Sequence, residues 1–428
     1  MSTRAITWDN ASSPLWHTAG LLLRPLHAAL VFPSVLYLST LTVFLFRPPD
    51  LRLYYADRIA FAALVFFVLL RCLALREWPS FLMRLSLPML GLVGFAVLRA
   101  CREPFDAPTW SLVASKFIVP FALFHLAIVV FRSPSARAHF RIFVILALAY
   151  LIFTAIAFMV DARALVFPRF ILDESLGIHA QRARGPFLQA VANGLSLNIL
   201  GLLAVAFAQK WKKVVLLLWF LLPLAILATM TRAVWIAFAV SAVALGLRLG
   251  ERQLHRASLG IVLALLLMIL GAALARNSLS NAIRDRAGDR APVDFRVAVY
   301  HAGWAMVQER PLTGWTAGRM YAELARRMDG YRLRTYYIHN TYLSLLIEFG
   351  WPGLALYGIL FFNLFRLARS RPDGESCVAL STLRKVWPIL LGVYLFNAFF
   401  VDLVYQFVTG LVFTVAGMLC ASQEEATS

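Results

Sequence analysis

The feature that most constrains this chain is a succession of long, uninterrupted apolar segments. Of its 428 residues, 61% are hydrophobic and only 15% are charged, a balance that no water-soluble domain of this size carries. The segments are continuous, rich in Leu, Ala, Phe and Val, and lack the alternation of a membrane β-strand. The sequence therefore predicts an all-α, polytopic membrane protein and excludes a large soluble enzyme domain.

Apolar windows of about 17 residues or more predict about twelve transmembrane helices. They lie near residues 28–46, 59–75, 85–101, 109–131, 140–160, 187–208, 214–230, 233–249, 257–275, 340–365, 386–401 and 404–420. The predicted domains are 1–275 with the first nine helices, 276–338 as one large helical loop, and 339–428 with the last three helices and a cytoplasmic tail. No cleavable signal peptide is recognisable, so the first span is expected to stay as an anchor.

Basic residues in the short connections predict how these helices are oriented. They concentrate in alternate connections, at Arg132/Arg137/Arg141, Lys210/Lys212/Lys213, Arg248/Arg252/Arg256 and Arg366/Arg369/Arg371. Cytoplasmic loops carry such an excess, so both termini are predicted to be cytoplasmic and 161–186 and 276–338 to lie on the outer side. The formal net charge of +19 fits contacts with membrane lipids, and no nucleic-acid partner is expected.

The long outer loop has an unusual charge pattern. Residues 276–338 contain eleven Arg and no Lys, against six Asp and Glu. Arg binds phosphate through two parallel hydrogen bonds. Codon preference accounts equally well for Arg over Lys, but it does not explain the clustering. The loop is therefore predicted to offer a site for a lipid-borne phosphate.

Three histidines fall on or near the predicted outer side, and His339 is the best placed for acid–base work. It precedes Asn340 where the long loop enters the tenth span. A histidine titrates near neutral pH and can take a proton from an attacking hydroxyl. The competing interpretation is a packing residue at the interface, beside a helix cap formed by Asn340. His301 is expected on the polar face of a loop helix, and nothing singles out His179.

Arginines suited to an anion occur at three places. Arg232 lies between two apolar runs, where a charge is costly and usually has a functional partner, although a side chain that snorkels to the headgroups is an equal alternative. Arg182 and Arg184 are either a further part of an anion site or a membrane-flanking basic pair. Arg296, near the start of a loop helix, either contributes charge at a ligand or is exposed to solvent.

Glu348 lies inside the tenth span, just before Gly350 and Pro352 interrupt it. An acid at that depth needs a partner. We expect it to hold an arginine or the broken helix rather than to act in catalysis.

Metal and cofactor sites leave no trace in the sequence. The four cysteines form no CxxC pair or Cys/His cluster, so neither structural zinc nor a disulfide framework is expected. There is no DxD pair, P-loop, GxSxG or HExxH motif. Nucleotide-driven and metal-dependent chemistry therefore lack support, and no cofactor is expected.

Three motifs follow one another within residues 180–365. They are Thr231-Arg232-Ala233, then Arg296 with Glu309-Arg310-Pro311-Leu312-Thr313-Gly314, then His339-Asn340-Thr341-Tyr342-Leu343 with Glu348-Phe349-Gly350-Trp351-Pro352-Gly353. Together they resemble the O-antigen ligase and polymerase superfamily of bacterial envelope enzymes. The family often has Ser-Arg-Gly where Thr231-Arg232-Ala233 stands here.

The resemblance implies a GT-C-like membrane glycosyltransferase in the bacterial inner membrane. Its donor would be an undecaprenyl-diphosphate-linked glycan, used at the periplasmic face without a nucleotide sugar or a metal. The resemblance gives His339 the role of activating the acceptor hydroxyl. The arginines that would recognise the diphosphate are Arg184, Arg232 and Arg296, and the supporting residues are Asn340, Glu348 and Arg182.

The chemistry is consistent with these residues, because a sugar on a diphosphate already has a good leaving group. Catalysis then needs charge stabilisation of the leaving diphosphate and a base on the acceptor. Within the family, the compact chain with one large outer loop favours a ligase that uses lipid A-core oligosaccharide as acceptor. An O-antigen polymerase and a protein O-oligosaccharyltransferase stay as alternatives. A flippase for lipid-linked oligosaccharides is the alternative from another class, although no repeated halves are visible.

Overall fold

A computed structural model describes residues 32–47, 55–79, 81–177, 179–207, 211–249, 291–328, 338–369 and 378–427. Over these residues the chain forms helices and turns and no strand. The predicted class of an all-α, multi-pass membrane protein is confirmed.

The described residues form thirteen α-helices, most of which follow the apolar segments of the sequence. They are α1 (Pro33–Leu45), α2 (Ala56–Leu75), α3 (Met83–Ala100), α4 (Ala107–Val130), α5 (Pro134–Met159), α6 (Ala190–Ala206), α7 (Lys212–Ala228), α8 (Arg232–Leu249), α9 (Ala291–Glu309), α10 (Ala317–Arg326), α11 (Thr341–Arg366), α12 (Val378–Ala398) and α13 (Gln406–Thr427). Within the described residues, five are long and apolar enough to cross a membrane, namely α2, α3, α4, α5 and α11.

The predicted spans and the described helices agree in position. Each predicted span except 257–275 overlaps one of these helices. The ninth span and residues 276–290 and 329–337 of the long loop lie outside the described residues. The count of twelve spans and the three domain limits therefore stay predictions.

The centre of the bundle is formed by α4 and α13, with α1 beside them. Gly417 of α13 faces the backbone of Phe124, where an added Cβ would lie 2.4 Å from the carbonyl oxygen. A small residue at such a contact lets two membrane helices approach closely. Tyr37 of α1 ties the three helices together, because its hydroxyl donates to the Leu123 carbonyl at 2.9 Å and lies 2.7 Å from Thr414 Oγ1.

The two helices of the long loop that are described have an apolar core of their own. Met306 of α9 and Leu324 of α10 are buried in it, together with Ile347 of α11. The loop helices are thus packed on the first turns of α11 and are not attached to the bundle by their ends alone.

Several connections meet at one end of the bundle. The first residue of α11, Thr341, donates its hydroxyl to the Val401 carbonyl at 2.8 Å and accepts from the Leu403 amide at 3.0 Å. Close by, α13 begins, and its Phe407 ring lies 5.6 Å from that of Phe187. The segment before α6, the start of α11 and the connection 399–405 therefore share this end.

Candidate active site

Asn340 fixes the backbone next to His339. Its side-chain oxygen accepts hydrogen bonds from the amides of Tyr342 and Leu343, at 2.9 and 3.1 Å. This is an N-cap, and it satisfies amide groups that the first turn of α11 leaves without helical partners. The His339 backbone is thereby held at the start of a membrane helix.

His339 is half-buried where α9 meets α11. Its ring packs against the Phe295 ring, with centroids 6.1 Å apart. Burial, and then the positive charge of Arg296, lower the pKa of His339 below its usual value, while Asp402 acts in the opposite sense. At neutral pH the imidazole is therefore uncharged, which is the form that a general base needs.

Arg296 lies on the same side of α9 as Tyr300, one turn further along the helix. Its guanidinium carbon is 5.8 Å from the centre of the Phe400 ring, and Nη2 is 3.5 Å from the Phe400 carbonyl. One turn later, the Tyr300 hydroxyl donates to the Phe399 carbonyl at 3.2 Å. Residues 399–400 therefore hold Arg296, the predicted diphosphate ligand, on the helix whose Phe295 packs against the predicted base.

A buried ionic cluster, which the sequence analysis missed, lies beneath this junction. Lys116 Nζ is 2.9 Å from Asp402 Oδ2 and 3.4 Å from Glu348 Oε2. It also donates to the Ser344 hydroxyl at 3.0 Å. The side chains of Lys116 and Glu348 are only 7% and 4% exposed, so each charge depends on the others. The missed signal is that Lys116 is a lone lysine inside an apolar run.

Glu348 thus has a lysine as its partner, where an arginine or the helix break was predicted. The lysine reaches it from a π-helical stretch of α4, Ala114–Ile118. Such stretches inside helices frequently occur at functional sites. Asp402, which no sequence motif marked, completes the cluster and links it to the connection that holds Arg296.

The break in α11 is filled by the turn that follows α9. Gly350 has φ 65°, and a Cβ there would lie 2.3 Å from the Pro311 carbonyl oxygen. The Trp351 amide donates to that carbonyl at 2.8 Å, and the Trp315 amide donates to the Ile347 carbonyl at 2.6 Å. Two of the motifs singled out in the sequence are therefore one contact in space, which explains why both carry glycine.

Arg184 is held in a different way from Arg296. It is 1% exposed, and it donates to the Ile171 carbonyl at 3.1 Å and to the carbonyls of Asp173 and Leu176. Three backbone acceptors satisfy the guanidinium and shape the loop before α6. Its role in binding diphosphate stays a prediction, and these contacts favour a role in holding the loop.

Arg232 begins α8, directly after the turn that leaves α7, and is half-buried. The Ala183 amide donates to the Ala228 carbonyl at 3.0 Å, and Asn193 Nδ2 donates to the Ala183 carbonyl at 2.9 Å. The segment with Arg182, which is buried, and the turn before Arg232 are therefore neighbours. His179 and His301 are both exposed.

Residues 214–358 match the family model described as O-antigen ligase. The matched segment contains Arg232, Arg296, His339 and Glu348 as well as the contact between the 311–315 turn and α11. The match covers about a third of the chain and supports membership of the O-antigen ligase and polymerase superfamily. No curated protein matches it. That family is one of glycosyltransferase-like enzymes, with lipid-linked glycans and membrane lipids as substrates.

Proposed function

We propose that this protein is an O-antigen ligase. It transfers a glycan from undecaprenyl diphosphate to lipid A-core oligosaccharide at the periplasmic face of the inner membrane, in lipopolysaccharide biosynthesis. The observation that carries the proposal is the junction where Phe295, next to Arg296 on α9, packs against the ring of His339; burial there, and then the charge of Arg296, lower the pKa of the histidine. A neutral imidazole can accept the proton of the acceptor hydroxyl. A fixed cation nearby can stabilise the diphosphate that leaves.

In the proposed reaction, an acceptor hydroxyl attacks the anomeric carbon of the donor sugar. The new bond forms between the acceptor oxygen and that carbon, and the hydroxyl proton passes to His339. The bond from the anomeric carbon to the diphosphate oxygen breaks, and undecaprenyl diphosphate leaves with both electrons. Direct displacement inverts the anomeric configuration. No step uses a metal ion or a nucleotide.

The arginines stabilise the departing diphosphate. Arg296 supplies charge beside the base, held over Phe400. Arg232 supplies charge at the first residue of α8, where the helix N-terminus also favours an anion. Removing one such donor from a preorganised site typically costs about 10²–10³ in rate.

The proposed function is tested by reconstitution with defined substrates. Purified protein in nanodiscs is given undecaprenyl-diphosphate-linked glycan with EDTA and no nucleotide, and three acceptors are compared: lipid A-core, a second lipid-linked glycan, and a Ser/Thr peptide. We expect a conjugate with lipid A-core. Conjugates formed only with another acceptor would reassign the chain to a polymerase or a protein transferase. If the protein instead moves the donor across a proteoliposome membrane and forms no conjugate, it would be a flippase and not a glycosyltransferase.

The periplasmic orientation has a separate test in native Cys101, which is exposed in the connection after α3. With the outer membrane permeabilised and the inner membrane intact, we expect a membrane-impermeant maleimide to label the wild type. The Cys101→Ser variant is the matched control and should lose that labelling. Equal labelling of the two proteins, or labelling of Cys101 only after cell lysis, would contradict the proposed orientation.

A further inference from the structure

A second cleft lies between the connection after α3 and the start of α10. Its volume is about 270 Å³, near the lower end of the range of small-molecule sites. Trp110, Glu103 and Asp106 line one wall, and Thr316 and Arg319 line the other. None of these residues takes part in the proposed chemistry at His339.

The two walls are fixed to each other. Arg99, at the end of α3, donates from Nη2 to the Gly314 carbonyl at 2.8 Å. The residues that follow Arg99, including Glu103, line one wall, and those that follow Gly314, including Thr316, line the other. At the floor, an added Cβ on Gly318 would lie 3.0 Å from Thr109 Oγ1, so α10 begins in close contact with α4. The cleft is therefore a built feature of the packing.

Thr316 favours a polar ligand in the cleft. It is 9% exposed, and its Oγ1 is buried without a hydrogen-bond partner among the described residues. It occupies the N-cap position of α10 but makes no side-chain capping bond. A buried hydroxyl left unpaired is costly, and a ligand hydroxyl in the cleft would satisfy it.

Donors and acceptors alternate around the cleft. Arg319 Nη2 lies 2.8 Å from Glu103 Oε2. Asp106 accepts from the Thr109 amide at 3.0 Å and from its hydroxyl at 2.5 Å, both at Oδ2. Two carboxylates disfavour a phosphate here, whereas sugar hydroxyls can donate to carboxylates and accept from arginine. Trp110, partly buried against the core, adds an aromatic surface on which the apolar face of a pyranose ring can pack.

We propose that this cleft is a saccharide-binding site that holds sugar units of a glycan substrate away from the reacting bond. The Trp315 amide, next to Thr316, bonds to Ile347. Ile347 lies about 9 Å along α11 from Thr341, so the cleft is within the reach of an oligosaccharide that reacts at His339. The proposal rests on the proposed glycosyl transfer for its role, although sugar binding in the cleft can be measured without transfer.

The test is direct binding to purified, full-length protein in nanodiscs. Two lipid-free probes are used: core oligosaccharide released from lipid A, and the repeat-unit oligosaccharide, both from the bacterium that encodes the chain. Saturation-transfer NMR and calorimetry are applied to the wild type, Trp110→Ala, Thr316→Val and His339→Ala. Trp304→Ala, an exposed tryptophan outside the cleft, is the matched control.

We expect one probe to bind the wild type, with Kd raised about tenfold or more in Trp110→Ala and about two- to tenfold in Thr316→Val. Binding to His339→Ala and Trp304→Ala should be unchanged. Binding of the core probe identifies the acceptor as the source of the sugar, and binding of the repeat-unit probe identifies the donor. Equal affinity of wild type and both cleft variants would overturn the proposal, as would binding of inorganic phosphate but neither sugar. If wild-type protein binds sugar in the cleft but makes no conjugate, the proposed function fails and the saccharide site stands.

Discussion

Arg184 and Arg296 carry the same side chain, and the family resemblance assigned both to the diphosphate, but they are held in opposite ways. Arg184 is 1% exposed and gives its guanidinium to three backbone carbonyls of one loop. Arg296 is half-buried over the Phe400 ring, next to His339. An arginine surrounded by carbonyls holds a fold, whereas one beside a titrating histidine also sets that group's charge. Burial and acceptors, rather than residue type, decide between the two roles.

The largest effect is expected at the His339 junction, which comprises residues 295–300, 338–341 and 399–402. General-base help is typically worth about 10²–10⁴ in rate, so His339→Ala should lower single-turnover transfer by that order while donor binding changes little. His301→Ala, at an exposed position on α9, is the control. A folded His339→Ala protein with wild-type transfer would exclude the base. Loss of donor binding together with activity would make His339 a donor-site residue.

The ionic cluster beneath the junction should have the next largest effect. In Lys116→Met, two buried carboxylates lose the ammonium that both contact. Removing one partner of a buried pair costs about 3–5 kcal/mol, so we expect a marked fall in Tm in nanodiscs. Lys213→Met, at an exposed position of α7, should leave Tm unchanged. Equal Tm values for the two variants would show that the cluster does not stabilise the bundle.

Replacing each of the two arginines by lysine tests whether they have different roles. Arg296→Lys keeps the charge but loses the planar fork, so transfer should fall by about 10² with little change in Tm. Arg184→Lys cannot reach three carbonyls at once, so its Tm should fall while transfer per folded molecule stays near wild type. If Arg184→Lys instead keeps its Tm and loses transfer, Arg184 belongs with the diphosphate ligands.

The sequence predicted the apolar helices well because a membrane helix is a local pattern. It also predicted the helix cap at Asn340, beside the proposed base His339, because a cap is a local feature of the chain. The Lys116–Glu348 pair could not be predicted, because its members are 232 positions apart and an isolated lysine does not indicate which carboxylate it meets. For the same reason, the sequence did not predict that the motifs containing Pro311 and Trp351 contact each other at the break in α11.

The hydrogen-bond partners of Arg184 could not be predicted from the sequence either. The pair Arg182 and Arg184 beside Gly185 left an anion site and a flanking basic pair equally open. The acceptors of Arg184 are carbonyl groups of residues 171, 173 and 176. Every residue type has a backbone carbonyl, so no pattern of side chains in the sequence indicates which carbonyls will bind an arginine.

The proposed role of His339 as a base whose pKa is lowered by burial and then by Arg296 is tested by pH profiles of single-turnover transfer. The neutral imidazole is the active form, so the rate should rise with pH through the pKa of His339. Burial and Arg296 lower that pKa. The rising limb of the wild-type pH–rate profile should therefore have its midpoint below the usual histidine pKa of about 6.5. In Arg296→Gln the cation is gone, and the limb should move to higher pH, whereas in Arg296→Lys it should stay in place. A limb at the same pH in wild type and Arg296→Gln, or one that persists in His339→Ala, would contradict the account.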